Sequence, residues 1–150
     1  MHILDQEAPG LSDRFRALSL EQRRRILAKA SRLASESIAD LEPAVQDLLQ
    51  AASSRNALSR TQVVEAQSHA EAADERYFDL RERGRPDREW LNWFYKARLL
   101  TALAAGFGEE SGSDAADAVY ELSKSRSDAS AILALVASEI DAIQKTTPRN

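Results

Sequence analysis

Apolar residues recur along this chain at spacings of three and four, the period of an amphipathic α-helix. Alanine and leucine dominate the apolar set, and the 150 residues contain only five glycines and four prolines. This composition favours long helices over a many-stranded sheet. The pattern predicts an all-α fold, a compact single-domain bundle of about six helices.

Capping and breaking residues set the borders of these helices. A serine followed three residues later by a glutamine is a capping pair, and such pairs occur at Ser19 and Ser59. Pro43 suits the first turn of a helix, and Gly84 can terminate one. The predicted helices cover about residues 19–41, 43–52, 59–83, 88–107, 114–123 and 129–144. Residues 1–10 and 145–150 are expected to be loose termini, and a short turn is expected around Phe15 and Leu18.

The helix predicted for residues 88–107 is apolar almost all the way round. Leu91 and Leu99 extend its apolar face to the opposite side. Such a helix lies at the centre of a bundle. The face itself consists of Trp90, Trp93, Phe94, Ala97, Leu100, Leu103, Ala104 and Phe107. We therefore expect residues 88–107 to form the spine of the core.

Alanines form the middle of the apolar seam on the third predicted helix, at Ala66, Ala70 and Ala73. Small side chains let two helix backbones approach closely, so the seam predicts tight packing against one neighbour. That neighbour is either another helix of the same chain or the same helix of a second copy in a homodimer.

Composition excludes several classes of protein. The chain contains no cysteine, which excludes disulfides, thiolate metal sites and thiol catalysis. Its start lacks the basic and apolar regions of a signal peptide. Its most apolar stretch, residues 99–107, is too short to span a bilayer. We expect a cytoplasmic protein without a membrane partner, and the sequence implies no cofactor.

Charge is unevenly distributed along the chain, whose net charge is −4. Residues 11–33 carry a net charge of +5, and residues 109–142 carry a net charge of −6. The two segments either attract each other within the fold or present opposite faces to partners.

Arg98 is the most unusual polar residue of the central helix, because apolar positions flank it on the helical wheel. A buried guanidinium is costly unless a carboxylate pairs with it. The candidate partners are Asp74, Asp117 and Glu121. One interpretation is an ion pair that sets the registry of the core. The other is a cavity in which Arg98, Trp90 and Tyr95 bind an anionic ligand or a partner's acidic side chain.

Acidic residues at helical spacing are the candidates for a metal site, because Mg²⁺ prefers hard oxygen ligands. The set consists of Asp114, Asp117 and Glu121 on the fifth predicted helix and Glu71 and Asp74 on the third. It is distantly similar to the E-x-x-E and E-x-x-D arrangement of all-α nucleotide pyrophosphohydrolases, although neither helix carries the complete pattern. That resemblance implies a metal-dependent phosphohydrolase. The alternative is a solvated acidic helix face.

A basic stripe is formed by Arg25, Lys29 and Arg32 on the first long helix, at spacings of four and three. It offers contacts to phosphates or to an acidic protein. No aromatic residue is interleaved to stack a nucleic-acid base, so a solvated face is favoured over nucleic-acid binding.

The function that the sequence favours is non-enzymatic. Catalytic constellations are lacking, and a charge-polarised helical surface suits the steering of a charged protein partner. In size and character the chain is comparable to adaptors and toxin-immunity proteins. The alternatives are a phosphohydrolase that uses the carboxylate cluster and a weak nucleic-acid binder that uses the basic stripe.

Overall fold

The computed structural model describes residues 8–55, 57–84, 88–108, 115–126 and 128–146. These residues form seven α-helices and no β-strand, which confirms the all-α prediction. The helices are α1 (Leu11–Arg16), α2 (Leu20–Glu36), α3 (Pro43–Arg55), α4 (Arg60–Glu82), α5 (Arg88–Phe107), α6 (Ala115–Ser123) and α7 (Ala129–Thr146). Within these ranges, none of the helices combines the length and apolar character needed to cross a membrane. The predicted loose termini lie mostly outside the described residues.

Two helices begin at the predicted capping pairs. The Ser19 hydroxyl oxygen accepts a hydrogen bond from the Gln22 amide nitrogen at 3.1 Å, and the Gln22 side-chain oxygen accepts from the Ser19 amide nitrogen at 3.0 Å. Ser59 and Gln62 repeat this arrangement at the start of α4. Gly84 follows α4 with a φ of 67°, a left-handed conformation that suits the end of a helix. The capping predictions are therefore confirmed.

The start of the chain contributes more to the core than the sequence predicted. The expected short turn is the helix α1, which packs against α6 and α7. Phe15 is fully buried and Leu11 is nearly so. A helix of six residues is too short for its apolar period to be recognised in the sequence. The described part of the chain therefore contains one helix more than predicted.

The central position of α5 is confirmed, since it packs against α2, α3, α4 and α6. Its second half is mostly buried, through Ala97, Leu99, Leu100, Ala102 and Leu103. The first half differs from the predicted spine, because every side chain from residue 90 to residue 95 is only half-buried. This partly exposed half carries most of the polar and aromatic features described below.

The alanine seam of α4 is used inside the chain. Ala66, Ala70 and Ala73 are buried, and α4 packs mainly along α5. Of the two neighbours considered for this seam, the contacts support a helix of the same chain, because the three alanines are already covered within it. Their small side chains allow the close approach of the two longest helices.

Ion pairs join the basic start of the chain to its acidic end. Lys29 Nζ lies 3.0 Å from a carboxylate oxygen of Glu139. Arg14 of α1 forms a second ion pair with Asp141. Of the two interpretations of the charge asymmetry, these contacts support attraction within the fold.

Candidate functional site

The first half of α5 holds the connector between α2 and α3, residues 37–42, through polar side chains. The Asn92 side-chain amide donates to the Ala39 carbonyl oxygen at 2.8 Å, and its oxygen accepts from the Ala39 amide nitrogen at 2.9 Å. One side chain thereby satisfies both main-chain polar groups of a residue outside any helix. The connector is tied to α5 at this point.

Lys96 is the buried cation of α5, with a side chain that is only 3% exposed. Its Nζ donates to the Asp40 carbonyl oxygen at 2.9 Å and to Glu42 Oε1 at 3.2 Å. The same ammonium lies 4.2 Å from the centroid of the Trp93 ring, which is cation–π contact. This role of Lys96 was not predicted from the sequence, where Arg98 was the more unusual residue. The pattern that could have indicated it is the spacing of Asn92 and Lys96, which are four residues apart and therefore lie on one helix face.

Asp40 adopts a left-handed backbone conformation, with a φ of 56°. Among non-glycine residues, aspartate and asparagine reach this region most readily, because their short polar side chains tolerate it. Such conformations are often found at functional sites, where surrounding contacts hold them. Here the holding contacts come from Lys96 and, through the neighbouring Ala39, from Asn92.

These residues surround an open cavity of about 740 Å³ between the connector and α5, which we call the Trp93 cavity. Its lining consists of Ser37, Ala39, Asp40, Glu89, Leu91, Asn92, Trp93, Tyr95 and Lys96. The volume falls within the range of small-ligand sites. Of the three residues predicted to line a cavity, Tyr95 lies here, whereas Trp90 and Arg98 lie on other parts of α5.

Arg98 joins three helices. Its Nη1 lies 2.9 Å from a carboxylate oxygen of Glu121 on α6, and its Nη2 lies 3.0 Å from a carboxylate oxygen of Asp74 on α4. The predicted carboxylate partners therefore include the two that are observed. The side chain is half-buried, 22% exposed, and its guanidinium carbon lies 5.6 Å from the centroid of the Phe94 ring. The contacts are those of the registry-setting ion pair.

Trp90 belongs to a second feature, which we call the aromatic cluster. Tyr77 is at its centre, with its ring centroid 5.6 Å from that of Trp90 and 5.2 Å from that of Phe94. Phe78 and Tyr95 extend the cluster on its two sides, at centroid distances of 5.0 Å from Tyr77 and 6.0 Å from Phe94. Four of the five residues are partly exposed, and Phe78 is 56% exposed. The cluster occupies the end of the α4–α5 helix pair.

No family model, curated protein or solved structure matches this chain. The two features on the first half of α5, the Trp93 cavity and the aromatic cluster, have Tyr95 in common.

The proposed metal ligands are only partly brought together. Asp74 and Glu121 meet at Arg98, and the shared guanidinium offsets half of their combined charge. Glu71 and Asp117 are exposed, and Asp114 lies outside the described residues. Within the described ranges, no group of three or more histidine, cysteine, aspartate or glutamate residues is placed to hold a metal ion. The geometry gives the phosphohydrolase interpretation no further support.

The basic stripe is largely compensated by acidic neighbours. Arg25 forms an ion pair with Glu21 at 3.1 Å, and Lys29 forms its pair with Glu139. Arg32 is exposed and lines a separate cavity of about 570 Å³ between α2 and α3. Two of the three charges offered to phosphates are therefore already engaged with carboxylates.

Proposed function

We propose that this protein is a non-enzymatic protein-binding module that contacts its partner through the aromatic cluster. The observation that carries the proposal is the placement of the aromatic residues. Six of the nine lie between residues 77 and 95, and all six reach the surface at least in part, whereas Phe15 and Phe107 are buried in the core. Tyrosine, tryptophan and phenylalanine are enriched in protein interfaces and supply much of their binding energy.

The exposed ring of Phe78 supports this proposal energetically. Full burial of a phenylalanine side chain stabilises a protein by roughly 1.5–3 kcal/mol, and Phe78 obtains only part of that within the isolated chain. A single exposed apolar residue is ordinary. Phe78, however, belongs to a cluster with four further rings. A partner that covered Phe78 would therefore also cover Tyr77 and Trp90.

Polar groups at the end of α4 lie next to the cluster, as polar groups lie at the rim of a protein interface. The Arg81 guanidinium donates to the Tyr77 hydroxyl at 3.0 Å and lies 6.0 Å from the centroid of that ring. Asp79 forms ion pairs with Arg76 and Arg83 at 3.5 and 3.4 Å. The charge asymmetry of the whole chain lends less support, because the fold uses part of it internally. We expect the protein to act in the cytoplasm, as an adaptor or a toxin-immunity-like protein would.

The test is affinity capture of the tagged protein from lysate of its source organism, with washes at two salt concentrations. Three forms are compared: the unaltered chain, Phe78→Ala, and Val64→Ala. Val64 is a matched control, because it lies on the same helix and is 55% exposed, but it is not part of the cluster. Circular dichroism confirms that each form is folded.

The expected result is one stoichiometric protein partner that the unaltered chain and Val64→Ala retain and that Phe78→Ala loses. Equal retention by Phe78→Ala and Val64→Ala would place the interface elsewhere on the surface. Absence of a stoichiometric partner for the unaltered chain would overturn the protein-binding proposal as a whole.

A further inference from the structure

We infer that the Trp93 cavity receives a cationic side chain, an arginine, from the bound protein. The source of that arginine rests on the proposed function, whereas the chemistry of the cavity does not. One of the two interpretations of Arg98 in the sequence was a cavity on this helix that binds an anionic ligand or a partner's acidic side chain. The contacts of Lys96 and the acidic residues of the cavity favour a cationic occupant instead.

The floor of the cavity does not offer a positive charge to an anion. Lys96 is the cation among the lining residues, and its ammonium is engaged by the Asp40 carbonyl oxygen, by Glu42 and by the face of Trp93. An anionic ligand would have to displace Glu42 from a buried side chain. The lysine therefore serves to hold the connector in place.

Two exposed acidic residues, Asp40 and Glu89, are among those that line the cavity. Within the described residues, neither carboxylate takes part in an ion pair. Among the lining residues, these two acidic residues outnumber the single cation, Lys96, which Glu42 already pairs, so the formal charge around the cavity is negative. That charge is complementary to a cation.

Arginine fits this combination better than other cations. Its planar guanidinium stacks on aromatic rings and binds carboxylates through paired hydrogen bonds, whereas the lysine ammonium is a compact and more strongly hydrated charge. Trp93 and Tyr95 supply aromatic surface, and Asp40 and Glu89 supply acceptors. Because Tyr95 also belongs to the aromatic cluster, a peptide segment that packs on the cluster has the cavity within reach of its side chain.

The experiment is an NMR titration of the isotopically labelled full chain with N-acetyl-arginine amide at low ionic strength. N-acetyl-lysine amide and N-acetyl-glutamate amide are titrated in parallel. The reporters are the Trp93 indole N–H and the backbone amides of Asn92 and Glu89. The indole of Trp90, which packs on Tyr77, is the internal control.

A matched pair of double variants assigns the acceptors. Asp40→Asn with Glu89→Gln removes the two acidic charges of the cavity lining, and asparagine tolerates the left-handed conformation required at position 40. Glu71→Gln with Glu75→Gln removes the same charge from the exposed face of α4. Each variant is compared with the unaltered chain for fold and stability before titration.

The expected result is a saturable shift at Trp93 with the arginine derivative. The variant of the cavity lining should raise its dissociation constant about tenfold or more, and the α4 variant should leave it unchanged. Equal weakening by the two double variants would show general attraction to an acidic surface and overturn the inference. A shift at Trp93 with the glutamate derivative alone, or equal affinity for the lysine derivative, would also overturn it.

This test separates the inference from the proposed function, because the titration uses the protein without its partner. Saturable arginine binding together with failed capture would leave the cation site intact and remove the protein-binding module. Successful capture without arginine binding at Trp93 would support the protein-binding module and overturn the cation site.

Discussion

Lys96 donates a hydrogen bond through Nζ to the main-chain carbonyl oxygen of Asp40, 2.9 Å away, and Asp40 has a φ of 56°. A buried cation thus stabilises an uncommon backbone conformation in the connector between α2 and α3. The other polar partner of Lys96, the Glu42 side chain, is 43% exposed. The two members of this ion pair therefore differ greatly in their access to water. Removing one is expected to change the free energy of unfolding more than removing the other.

Glu42→Ala is expected to lower the free energy of unfolding by about 1–2 kcal/mol, because the buried Lys96 ammonium loses its carboxylate and water cannot fully replace it. Lys96→Met is expected to cost less, within about 1 kcal/mol, since it removes the buried charge itself and fills a similar volume. Chemical denaturation of both variants measures the difference. A greater loss for Lys96→Met than for Glu42→Ala would contradict this account.

Asn92→Ala is expected to cost about 1–3 kcal/mol, because it removes both hydrogen bonds to Ala39. The amide hydrogen of Ala39 should then exchange faster with solvent. Asn92→Asp is the informative comparison, because a carboxylate can still accept from the Ala39 amide nitrogen but cannot donate to its carbonyl oxygen. Native-state hydrogen exchange should show intermediate protection in Asn92→Asp. Unchanged exchange in Asn92→Ala would show that the connector does not depend on this side chain.

The helix borders could be predicted because the residues that set them are close in sequence. The capping serines and glutamines at the starts of α2 and α4 are three residues apart, and Gly84 adjoins the helix that it ends. Such signals need no knowledge of the tertiary structure. The ion pairs of Arg98 could also be predicted, since few carboxylates share helical faces with the centre of the bundle.

The Trp93 cavity could not be predicted, because its polar floor is formed by residues distant in sequence. Lys96 and the Asp40 carbonyl are 56 residues apart, and Asn92 and Ala39 are 53 apart. Arg98 and Lys96 both interrupt an apolar helix, so the sequence does not show which is more deeply buried. The neighbours that cover each face of α5 decide this, and one of those neighbours is a connector without periodic structure.

Arg98→Leu is expected to lower the free energy of unfolding by about 2–4 kcal/mol, because it leaves Asp74 and Glu121 close together without their cation. This expected loss is smaller than for a fully buried ion pair, because the Arg98 side chain is 22% exposed. The triple variant Arg98→Leu, Asp74→Asn, Glu121→Gln should recover a large part of the loss, because it removes both carboxylate charges. Denaturation curves for the two variants test this, and equal stability would show that the carboxylates do not repel.

The start of α7 should contribute a pH-dependent stability through Asp128. The Ser130 hydroxyl donates to the Asp128 carboxylate and lowers its pKa below the ordinary value of 3.8, helped by the amides of Ser130 and Ala131 and by the charge of Arg126. Because the folded state has the lower pKa, the ionised carboxylate stabilises it above the unfolded pKa, and this contribution is lost as pH falls through the folded pKa. The difference in melting temperature between the unaltered chain and Asp128→Ala should therefore be greatest at neutral pH and should shrink below pH 3.8. A difference that is constant with pH would show that the contribution of Asp128 does not depend on the ionisation of its carboxyl group.

Gly106 lies inside α5, where alanine would usually stabilise a helix by about 1 kcal/mol. A Cβ atom at this position would lie 2.8 Å from Leu27 Cδ1 and 3.1 Å from the Cβ atom of Ala118. Both neighbours are buried, so they have little room to move, and overpacking of this kind costs about 1–3 kcal/mol. Gly106→Ala should therefore destabilise the protein despite its better helix propensity.

A double-mutant cycle with Leu27→Ala tests whether the crowding at Gly106 is the cause. Leu27→Ala removes the nearer of the two contacting atoms and opens space, so Gly106→Ala should cost less in the Leu27→Ala background than in the unaltered chain. The free energy of unfolding of all four forms gives the coupling. If the two costs are additive, α5 has room for a side chain at residue 106. The close approach of α2, α5 and α6 would then depend on other residues.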